Sequence, residues 1–310
     1  MAVIRMVLLY VLLTPCPIPI AFATTAPTLR QHNAAWSLSI TPQKVVNGAP
    51  VLVVVTAPAT LNSLTGTLLG HGLIFDHSAG RNWFALAGVS LETKPGKYSL
   101  KLEGMDAKGE KIEFEHTLFV SAAKYPTVKL TVSKEFTAPS PEQQQTIKAD
   151  QEVKHDVFSR ISPEREWSGS FLPPVNAETS DPFGTRRIFN GVTKSVHQGL
   201  DYRVGPDTPV SAVNRGTVIL ARPLYFEGNC VVIDHGQGLL SLYMHMSELK
   251  VKEGQQVERG TPIGLSGATG RATGPHLHLA VRWQGVYLNP AALLKLPLPD
   301  TPSKAAYMRK

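Results

Sequence analysis

The stretch Pro275-His276-Leu277-His278-Leu279-Ala280-Val281 decides how the C-terminal half of this sequence folds. In an extended strand successive side chains point to opposite faces, so residues two apart share a face. His276 and His278 therefore lie side by side, while the apolar residues between and after them point into a core. Two imidazoles held together on a strand predict a metal ligand with a second nitrogen beside it.

The sequence around this stretch alternates short β-rich runs with glycine-containing turns. Strands are predicted at residues 216–221, 230–234, 239–245, 263–266 and 276–283. No long helical pattern interrupts them. Residues 169–297 are therefore predicted to form an antiparallel β domain with an open groove on one sheet.

Two further clusters in this domain carry chemistry that the paired histidines need. His197-Gln-Gly-Leu-Asp201 places an imidazole and a carboxylate four residues apart, and His245 ends a predicted strand. A hydrolytic zinc ion takes three protein ligands and keeps one position for water. His197, Asp201 and one of the paired histidines supply the two nitrogens and one oxygen typical of zinc, which leaves the other paired histidine and His245 beside the open position.

The N-terminal part of the chain also has the pattern of a β structure. Residues 27–122 contain short β-rich runs divided by turn residues, and the alternating runs 97–102 and 112–118 are joined by a turn at 106–109. Such runs predict a hairpin, and several short strands at this spacing predict an immunoglobulin-like β-sandwich.

A polar segment with one helix is predicted to link the two domains, over residues 123–168. Ser140-Pro141-Glu142-Gln143 offers an N-cap, a first-turn proline and a capping-box glutamine. An apolar stripe runs from Ile147 to Ile161, before Ser162-Pro163 ends the helix. We expect this helix to pack on one or both domains; the alternative is a segment that covers the groove until it is displaced. Residues 298–310 are expected to be a tail.

The first 23 residues have the pattern of a signal peptide. Arg5 precedes an apolar run over residues 6–13, and Ala21-Phe22-Ala23 forms a cleavage signal. The run is too short to span a bilayer, so we expect export to the periplasm or cell envelope without stable membrane insertion after cleavage. A lipid anchor on Cys16 is the alternative, disfavoured by Pro15 before it. Cleavage leaves Cys230 as the only cysteine, which excludes an intramolecular disulfide.

The composition suits a globular protein of two domains. The chain has 310 residues, of which 43% are hydrophobic and 18% charged, and its formal net charge is +7. A basic protein favours anionic partners such as nucleic acid, membrane surfaces or acidic wall polymers. The sequence lacks helix-turn-helix spacing, a Cys/His finger and interleaved basic and aromatic residues, so no nucleic-acid partner is predicted.

The motifs resemble a known family. Residues 169–297 are similar to the lysostaphin and LytM-type zinc peptidases of bacterial cell walls, which carry HxxxD, an isolated downstream histidine and a terminal HxH. This sequence also has the accompanying Asp181-Pro-Phe-Gly184 entry and the approach over residues 270–278. Residues 29–122 resemble the immunoglobulin-like domain found ahead of some of these peptidases.

The resemblance implies roles for the five site residues. His197, Asp201 and His278 would bind one zinc ion per chain, and His245 and His276 would be the catalytic histidines. The implied activity is a zinc metalloendopeptidase that hydrolyses the stem-peptide cross-links of peptidoglycan. The immunoglobulin-like domain would then offer a surface for a regulatory partner.

Two other classes of function are weighed against this one. Some relatives have lost ligands and only activate other wall hydrolases, so a non-catalytic wall-binding or hydrolase-activating protein using the same groove is the main alternative. The intact set of five residues argues against it. Residues 251–264 also suggest a biotinyl or lipoyl carrier domain, but the expected hairpin lysine between apolar residues is missing.

Overall fold

The computed structural model describes residues 35–132, 136, 138–159, 161–191 and 193–300. The predicted signal peptide and most of the predicted tail lie outside these residues. Among the residues described, no helix is both long and apolar enough to cross a membrane.

The described chain is mostly β, as predicted. Its elements in chain order are β1 (Ser37–Thr41), β2 (Val45–Val46), β3 (Pro50–Thr56), β4 (Leu61–Leu68), β5 (His71–Ile74), β6 (Asp76–Ala79), β7 (Asn82–Gly88), β8 (Gly96–Asp106), β9 (Lys111–Ser121), β10 (Thr127–Leu130), α1 (Pro141–Ser159), β11 (Thr179–Asp181), β12 (Arg186–Phe189), β13 (Thr193–Val196), β14 (Gly199–Tyr202), β15 (Pro209–Ser211), β16 (Gly216–Leu224), β17 (Gly228–Asp234), β18 (Leu239–Met246), β19 (Glu248–Leu249), β20 (Gln256–Val257), β21 (Pro262–Leu265), β22 (Leu277–Trp283), β23 (Val286–Leu288) and α2 (Pro290–Leu293).

Two sheets make up the N-terminal part of the described chain. One has the strand order β1-β3-β7-β6 and the other β2-β9-β8-β4-β5. Val53 of β3 and Leu100 of β8 are fully buried in the same apolar cluster, so the two sheets share a core. That this pair of sheets is immunoglobulin-like stays a prediction.

The predicted hairpin in this region is confirmed. β8 and β9 pair in antiparallel register from Gly96 opposite Val120 to Met105 opposite Lys111. The Asp106 carboxylate closes the turn, because its Oδ1 accepts hydrogen bonds of 2.8 Å from two backbone N–H groups, those of Lys108 and Glu110.

The C-terminal part is built on an eight-stranded sheet. Its order is β11-β14-β22-β18-β17-β16-β20, with β23 pairing with the end of β22 on the same edge as β14, and every pair is antiparallel. Alternation along β22 sends Leu277, Leu279 and Val281 into the main core. His278 and Ala280 therefore lie on the opposite face.

Helix α1 covers part of that second face. Its side chains Val153, Val157 and Phe158 pack on a separate apolar cluster that includes Leu242 and Ala280 of the sheet. The helix is thus docked on the C-terminal sheet. Lys154 of α1 also forms a salt bridge of 2.6 Å with Glu227.

The ends of this helix match the sequence prediction at one end only. The Gln143 N–H donates to Ser140 Oγ over 3.2 Å and the Ser140 N–H donates to Gln143 Oε1 over 2.8 Å, which is a reciprocal capping box. At the other end α1 stops at Ser159. Ile161, expected to complete the apolar stripe, lies beyond the helix and is 51% exposed.

The segment predicted as a linker, residues 123–168, pairs and packs with the rest of the fold. Its residues Thr127–Leu130 form β10, which pairs in parallel with β12. Trp167 is fully buried, and Arg165 is buried with its Nε 2.8 Å from Asp76 Oδ2. The polar local sequence did not indicate this packing, because the burial of these side chains depends on residues distant in the chain.

The N-terminal and C-terminal parts pack against each other. A Cβ added at Gly88 on β7 would lie 2.8 Å from side-chain atoms of both Trp283 and Leu288. The Gln284 side-chain amide also donates to the Gly72 carbonyl over 2.8 Å. Strand β22 therefore has the paired histidines at its start and the contact with the N-terminal sheets at its end.

Candidate metal and catalytic site

Strand pairing brings together residues that are far apart in the chain. β14 and β22 are antiparallel neighbours, with Asp201 directly opposite His278. His197 lies in the short connection between β13 and β14. A Cβ added at Gly199 would lie 2.3 Å from His278 Nε2, so the absence of a side chain at this position makes room for the imidazole.

Three side-chain atoms form a small triangle. His197 Nε2 is 3.1 Å from Asp201 Oδ1 and 3.0 Å from His278 Nδ1, and His278 Nδ1 is 2.8 Å from Asp201 Oδ1. Tetrahedral ligands at zinc-like bond lengths lie roughly 3.3 Å apart. The triangle therefore has the size that a shared metal ion requires.

The protonation of these groups also suits a cation. His197 Nδ1 is 3.0 Å from the Pro182 carbonyl, to which its N–H donates, so the neutral ring has a lone pair on Nε2. That lone pair faces the Asp201 carboxylate inside a buried site. Two electron-rich atoms held this close are stabilised by a cation between them, and two nitrogens with one oxygen suit a transition metal better than magnesium or calcium.

The second oxygen of Asp201 has a different partner. Arg187 Nη2 is 2.5 Å from Asp201 Oδ2 and 2.6 Å from Asp181 Oδ2. Arg187 thus bridges two carboxylates from the side away from the histidines. It leaves Asp201 Oδ1 facing the two imidazole nitrogens.

Burial and close partners shift the pKa values of Asp201 and His278. Burial by itself raises the pKa of the Asp201 carboxyl, but the close contacts with His197 and His278 outweigh it and hold that pKa far below its usual range. Burial lowers the pKa of His278. The carboxylate is therefore charged and His278 favours its neutral form, as metal ligands require.

The two remaining histidines lie beside this triangle with the same tautomer. His245 Nδ1 is 2.8 Å from the Thr269 carbonyl and His276 Nδ1 is 2.8 Å from the Gly274 carbonyl. Each Nδ1–H donates to its carbonyl, so each neutral ring has its lone pair on Nε2. The ring centroids of His245 and His276 are 4.7 Å apart, and His276 Nε2 is 4.0 Å from Asp201 Oδ1.

Local backbone geometry aims these two rings. His245 has a φ of +63°, which is uncommon for a residue other than glycine, and it lies where the pairing of β17 with β18 shifts register. His276 precedes β22 and forms an isolated bridge with Gly267. The prediction that His276 lies within the strand is therefore wrong by one residue, although its ring still meets the site.

Burial keeps His245 neutral. Burial, together with the nearby His276 and His278, lowers the pKa of His245 to about 3. A neutral imidazole with a free Nε2 can accept a proton.

An open groove of about 480 Å³ runs over these residues. Strand β10, the segment before His276 and the turn between β16 and β17 contribute to its walls. Its lining includes all five residues singled out from the sequence: His197, Asp201, His245, His276 and His278.

Comparisons with known proteins identify the family of this chain. The model of peptidase family M23 matches residues 195–290. A crystal structure from Pseudomonas aeruginosa, described as a peptidase M23, shares 32% identity and a TM-score of 0.63, and the match covers 81% of this chain and 95% of that one. The chain belongs to peptidase family M23.

Curated M23 relatives are similar over the same region. Peptidoglycan DD-endopeptidase ShyA of Vibrio cholerae serotype O1 is 43% identical over 120 residues, which are 37% of this chain and 28% of that protein. DD-carboxypeptidase/endopeptidase Mpg of Neisseria meningitidis serogroup B is 39% identical over 128 residues, 41% of this chain and 29% of that protein. The chain thus spans less than a third of the length of either relative.

Sequence reasoning missed the charged partner of the M23 site. Arg187 follows the Asp181-to-Gly184 entry by three positions, and Asp181 was noted only as part of that entry. The alternation of β12 could have suggested that Arg187 points away from its exposed neighbour Arg186. Nothing in the local pattern indicates that it reaches Asp201, which belongs to another strand.

Proposed function

We propose that this chain is an exported zinc metalloendopeptidase that hydrolyses peptide cross-links of bacterial peptidoglycan. Membership of family M23 and the DD-endopeptidase name of the ShyA relative support the reaction and the substrate class. The observation that carries the proposal is the buried triangle of His197, Asp201 and His278 with the imidazoles of His245 and His276 beside it.

In this proposal His197, Asp201 and His278 hold one zinc ion per chain. Their donor atoms are two neutral nitrogens and one carboxylate oxygen, with separations of 2.8 to 3.1 Å. Bound there, zinc would supply Lewis acidity, polarising a peptide carbonyl and lowering the pKa of water towards about 7.

His245 and His276 divide the proton transfers between them. One Nε2 takes the proton from the attacking water and later delivers it to the leaving amine, while the other ring supports the tetrahedral oxyanion when its own Nε2 carries a proton. The carbonyls of Thr269 and Gly274 fix both tautomers by accepting from Nδ1. Each ring therefore presents the same atom to the substrate.

Substitution of the two paired histidines separates metal binding from catalysis. We expect His278→Ala to lose both zinc and hydrolysis, because it removes a ligand. His276→Ala should keep zinc but lose turnover. Zinc content by atomic emission and cleavage of a cross-linked peptide measure the two effects. Equal loss of metal in both variants would overturn the assignment.

The substrate is tested on purified sacculi. Zinc-loaded protein should convert cross-linked muropeptides into uncross-linked ones, as read by mass spectrometry, and chelation followed by zinc should remove and restore the activity. His276→Ala is the metal-bound control. Unchanged cross-linked muropeptides after treatment with folded, zinc-loaded protein would contradict the proposal.

The remaining assignments belong to the same proposal. Residues 1–23 direct export to the periplasm or envelope. Residues 27–122 form an immunoglobulin-like domain that can receive a regulatory partner. Residues 123–168 connect this domain to the peptidase domain of residues 169–297, and residues 298–310 form a tail. The family match at 195–290 lies inside the peptidase domain and supports its bounds. Zinc stoichiometry near zero in folded protein would instead favour a non-catalytic wall-binding or hydrolase-activating role.

A further inference from the structure

Arg271 lines the groove in a fixed position, and no described carboxylate forms a salt bridge with it. Arg271 lies in the segment between β21 and β22, and its backbone N–H donates to the Phe226 carbonyl over 2.8 Å. Its guanidinium carbon is 4.6 Å from the ring centroid of Phe226 and 5.1 Å from that of Phe189. Both distances fall within the range of cation–π contacts.

The N–H donors of the Arg271 guanidinium meet no acceptor in the described part of the chain. A guanidinium carries five N–H donors. Among the described residues, the Arg271 side chain makes no hydrogen bond or salt bridge to a protein acceptor, although it is partly buried and lines the groove. The aromatic contacts hold its position without supplying a carboxylate or carbonyl oxygen.

Other charged residues also line the groove. Glu227 forms a salt bridge of 2.6 Å with Lys154, and its charge also acts on Arg271 without a hydrogen bond between the two side chains. Arg187 is held between two carboxylates. The guanidinium of Arg271 therefore keeps hydrogen-bond donors for an anion from outside the chain, and its geometry suits a carboxylate held by two parallel hydrogen bonds.

We propose that Arg271 is the carboxylate anchor of this groove and binds a free carboxylate of the substrate peptide near the scissile bond. The proposal rests on the proposed function, and it narrows the substrate to peptides that carry such a group. Because the two rings hold the guanidinium in place, little side-chain freedom remains to be lost on binding. Two sources share this chemistry: a C-terminal carboxylate of the stem peptide and a carboxylate on the cross-linked diamino acid.

A set of matched peptides tests the anchor. One cross-linked peptide is prepared with all its carboxylates free, with only the C-terminal carboxylate amidated, and with only the diamino-acid carboxylate amidated. Affinity is measured by calorimetry on the zinc-loaded full chain carrying His276→Ala, which prevents turnover. KM and kcat are measured on the zinc-loaded chain with His276 intact.

Loss of Arg271 should remove the difference in affinity between the free-acid peptide and its amide. With Arg271 present, amidation of the recognised carboxylate should weaken binding about 10- to 100-fold, and the amide that does so identifies its source. Arg271→Met should bind the free acid as weakly as that amide, so that it no longer distinguishes the two peptides. Its KM should rise by a larger factor than its kcat changes. Arg271→Lys should keep part of the discrimination.

Arg222→Met is the matched control. It removes the same charge from an exposed arginine whose partner is Glu253, at 2.8 Å, and which does not line the groove. It should discriminate as strongly as the unchanged protein. Arg271→Gln repeats the test with a polar replacement.

Each outcome decides the matter. Equal weakening of acid and amide by Arg271→Met would make the residue a structural clamp and overturn the proposal, as would discrimination that survives its loss. Discrimination that depends on Arg271 without cleavage of any peptide would uphold the anchor while the proposed activity fails. Cleavage without discrimination would uphold the activity and overturn the anchor.

Discussion

Asp201 divides its two carboxylate oxygens between two kinds of partner. Oδ1 faces the imidazoles of His197 and His278, and Oδ2 accepts from Arg187. A ligand carboxylate held on its far side has its orientation fixed before the metal binds. Outer partners of this type commonly change metal affinity when they are removed.

Arg187→Ala should therefore weaken zinc binding about 10- to 100-fold without removing a ligand. Competition with a chromogenic chelator measures the affinity. Arg186→Ala is the matched control, since Arg186 is adjacent, exposed and carries the same charge. Equal zinc affinity in both variants would show that the contact with Asp201 does not orient the ligand.

The sequence patterns identified the five site residues but did not indicate the roles of Arg187 and Arg271. His-x-His and His-x-x-x-Asp are short-range patterns, and strand alternation states which side chains share a face. Arg187 and Arg271 act through residues on other elements: Asp201 for the first, and Phe189 and Phe226 for the second. Local periodicity carries no information about which distant residues will meet.

At the scale of elements, the site depends on how closely β14 approaches β22. Besides its contact with His278 Nε2, a Cβ at Gly199 would lie 2.6 Å from the Leu279 carbonyl oxygen. A backbone atom cannot move aside as a flexible side chain can. The pair of strands must therefore separate to accept any side chain there.

Gly199→Ala should lower the free energy of unfolding by about 1–3 kcal/mol, as overpacking does, and reduce zinc stoichiometry by displacing His278. Denaturant unfolding and metal analysis measure the two effects. Gly205→Ala is the control: a Cβ there meets nothing within 4 Å, and Gly205 is not among the glycines with positive φ. Zinc binding by Gly199→Ala as strong as that of Gly205→Ala would contradict the role given to this close approach.

Elements were predictable where the sequence pattern is local. The β8–β9 hairpin and the capped start of α1 each depend on residues a few positions apart, and both are present. Strand β10 was not predicted, because the strand with which it pairs, β12, lies more than fifty residues away in the sequence. Parallel pairing of distant segments leaves no turn signal in the sequence.

At the scale of the whole molecule, a buried polar chain joins the C-terminal sheet to its surroundings. His235 Nδ1 is 2.7 Å from the Arg215 carbonyl, and its Nε2 is 2.8 Å from Ser241 Oγ. Ser241 Oγ is 3.1 Å from Tyr243 Oη, which accepts from the Val213 N–H over 2.8 Å. With Nδ1–H donating to the Arg215 carbonyl, every hydrogen bond in this series can form when His235 is neutral. A second proton on the ring would break the hydrogen bond that Nε2 accepts.

The stability of the protein should therefore fall in mild acid. Burial lowers the pKa of His235 to about 4, whereas an unfolded histidine titrates near 6.5. The unfolded chain then binds more protons between these values, so His235 contributes its full stability above about pH 6.5 and loses about 3 kcal/mol of it as the pH falls to about 4.

Comparison with His235→Gln isolates this contribution, because His245 also has a lowered pKa. Denaturant unfolding in chelator, from pH 7.5 to pH 4, should show a steeper loss of stability in the unchanged protein than in His235→Gln. Parallel curves would mean that the ring of His235 titrates normally in the folded state.

The shared core is the feature of the whole molecule that the sequence did not indicate. Two separate domains joined by a polar linker were expected, yet Trp167 of that segment contacts Phe84, with ring centroids 6.1 Å apart, and Gly88 lies against Trp283. Apolar residues in each half predict that a core exists. They do not state that the two cores are continuous.

Anomalous diffraction at the zinc edge, from crystals of the zinc-loaded full chain, tests the central claim most directly. We expect one strong peak per chain, at about 2.0–2.2 Å from His197 Nε2, Asp201 Oδ1 and His278 Nδ1. No peak at this triangle, or a zinc ion held by other residues, would contradict the account.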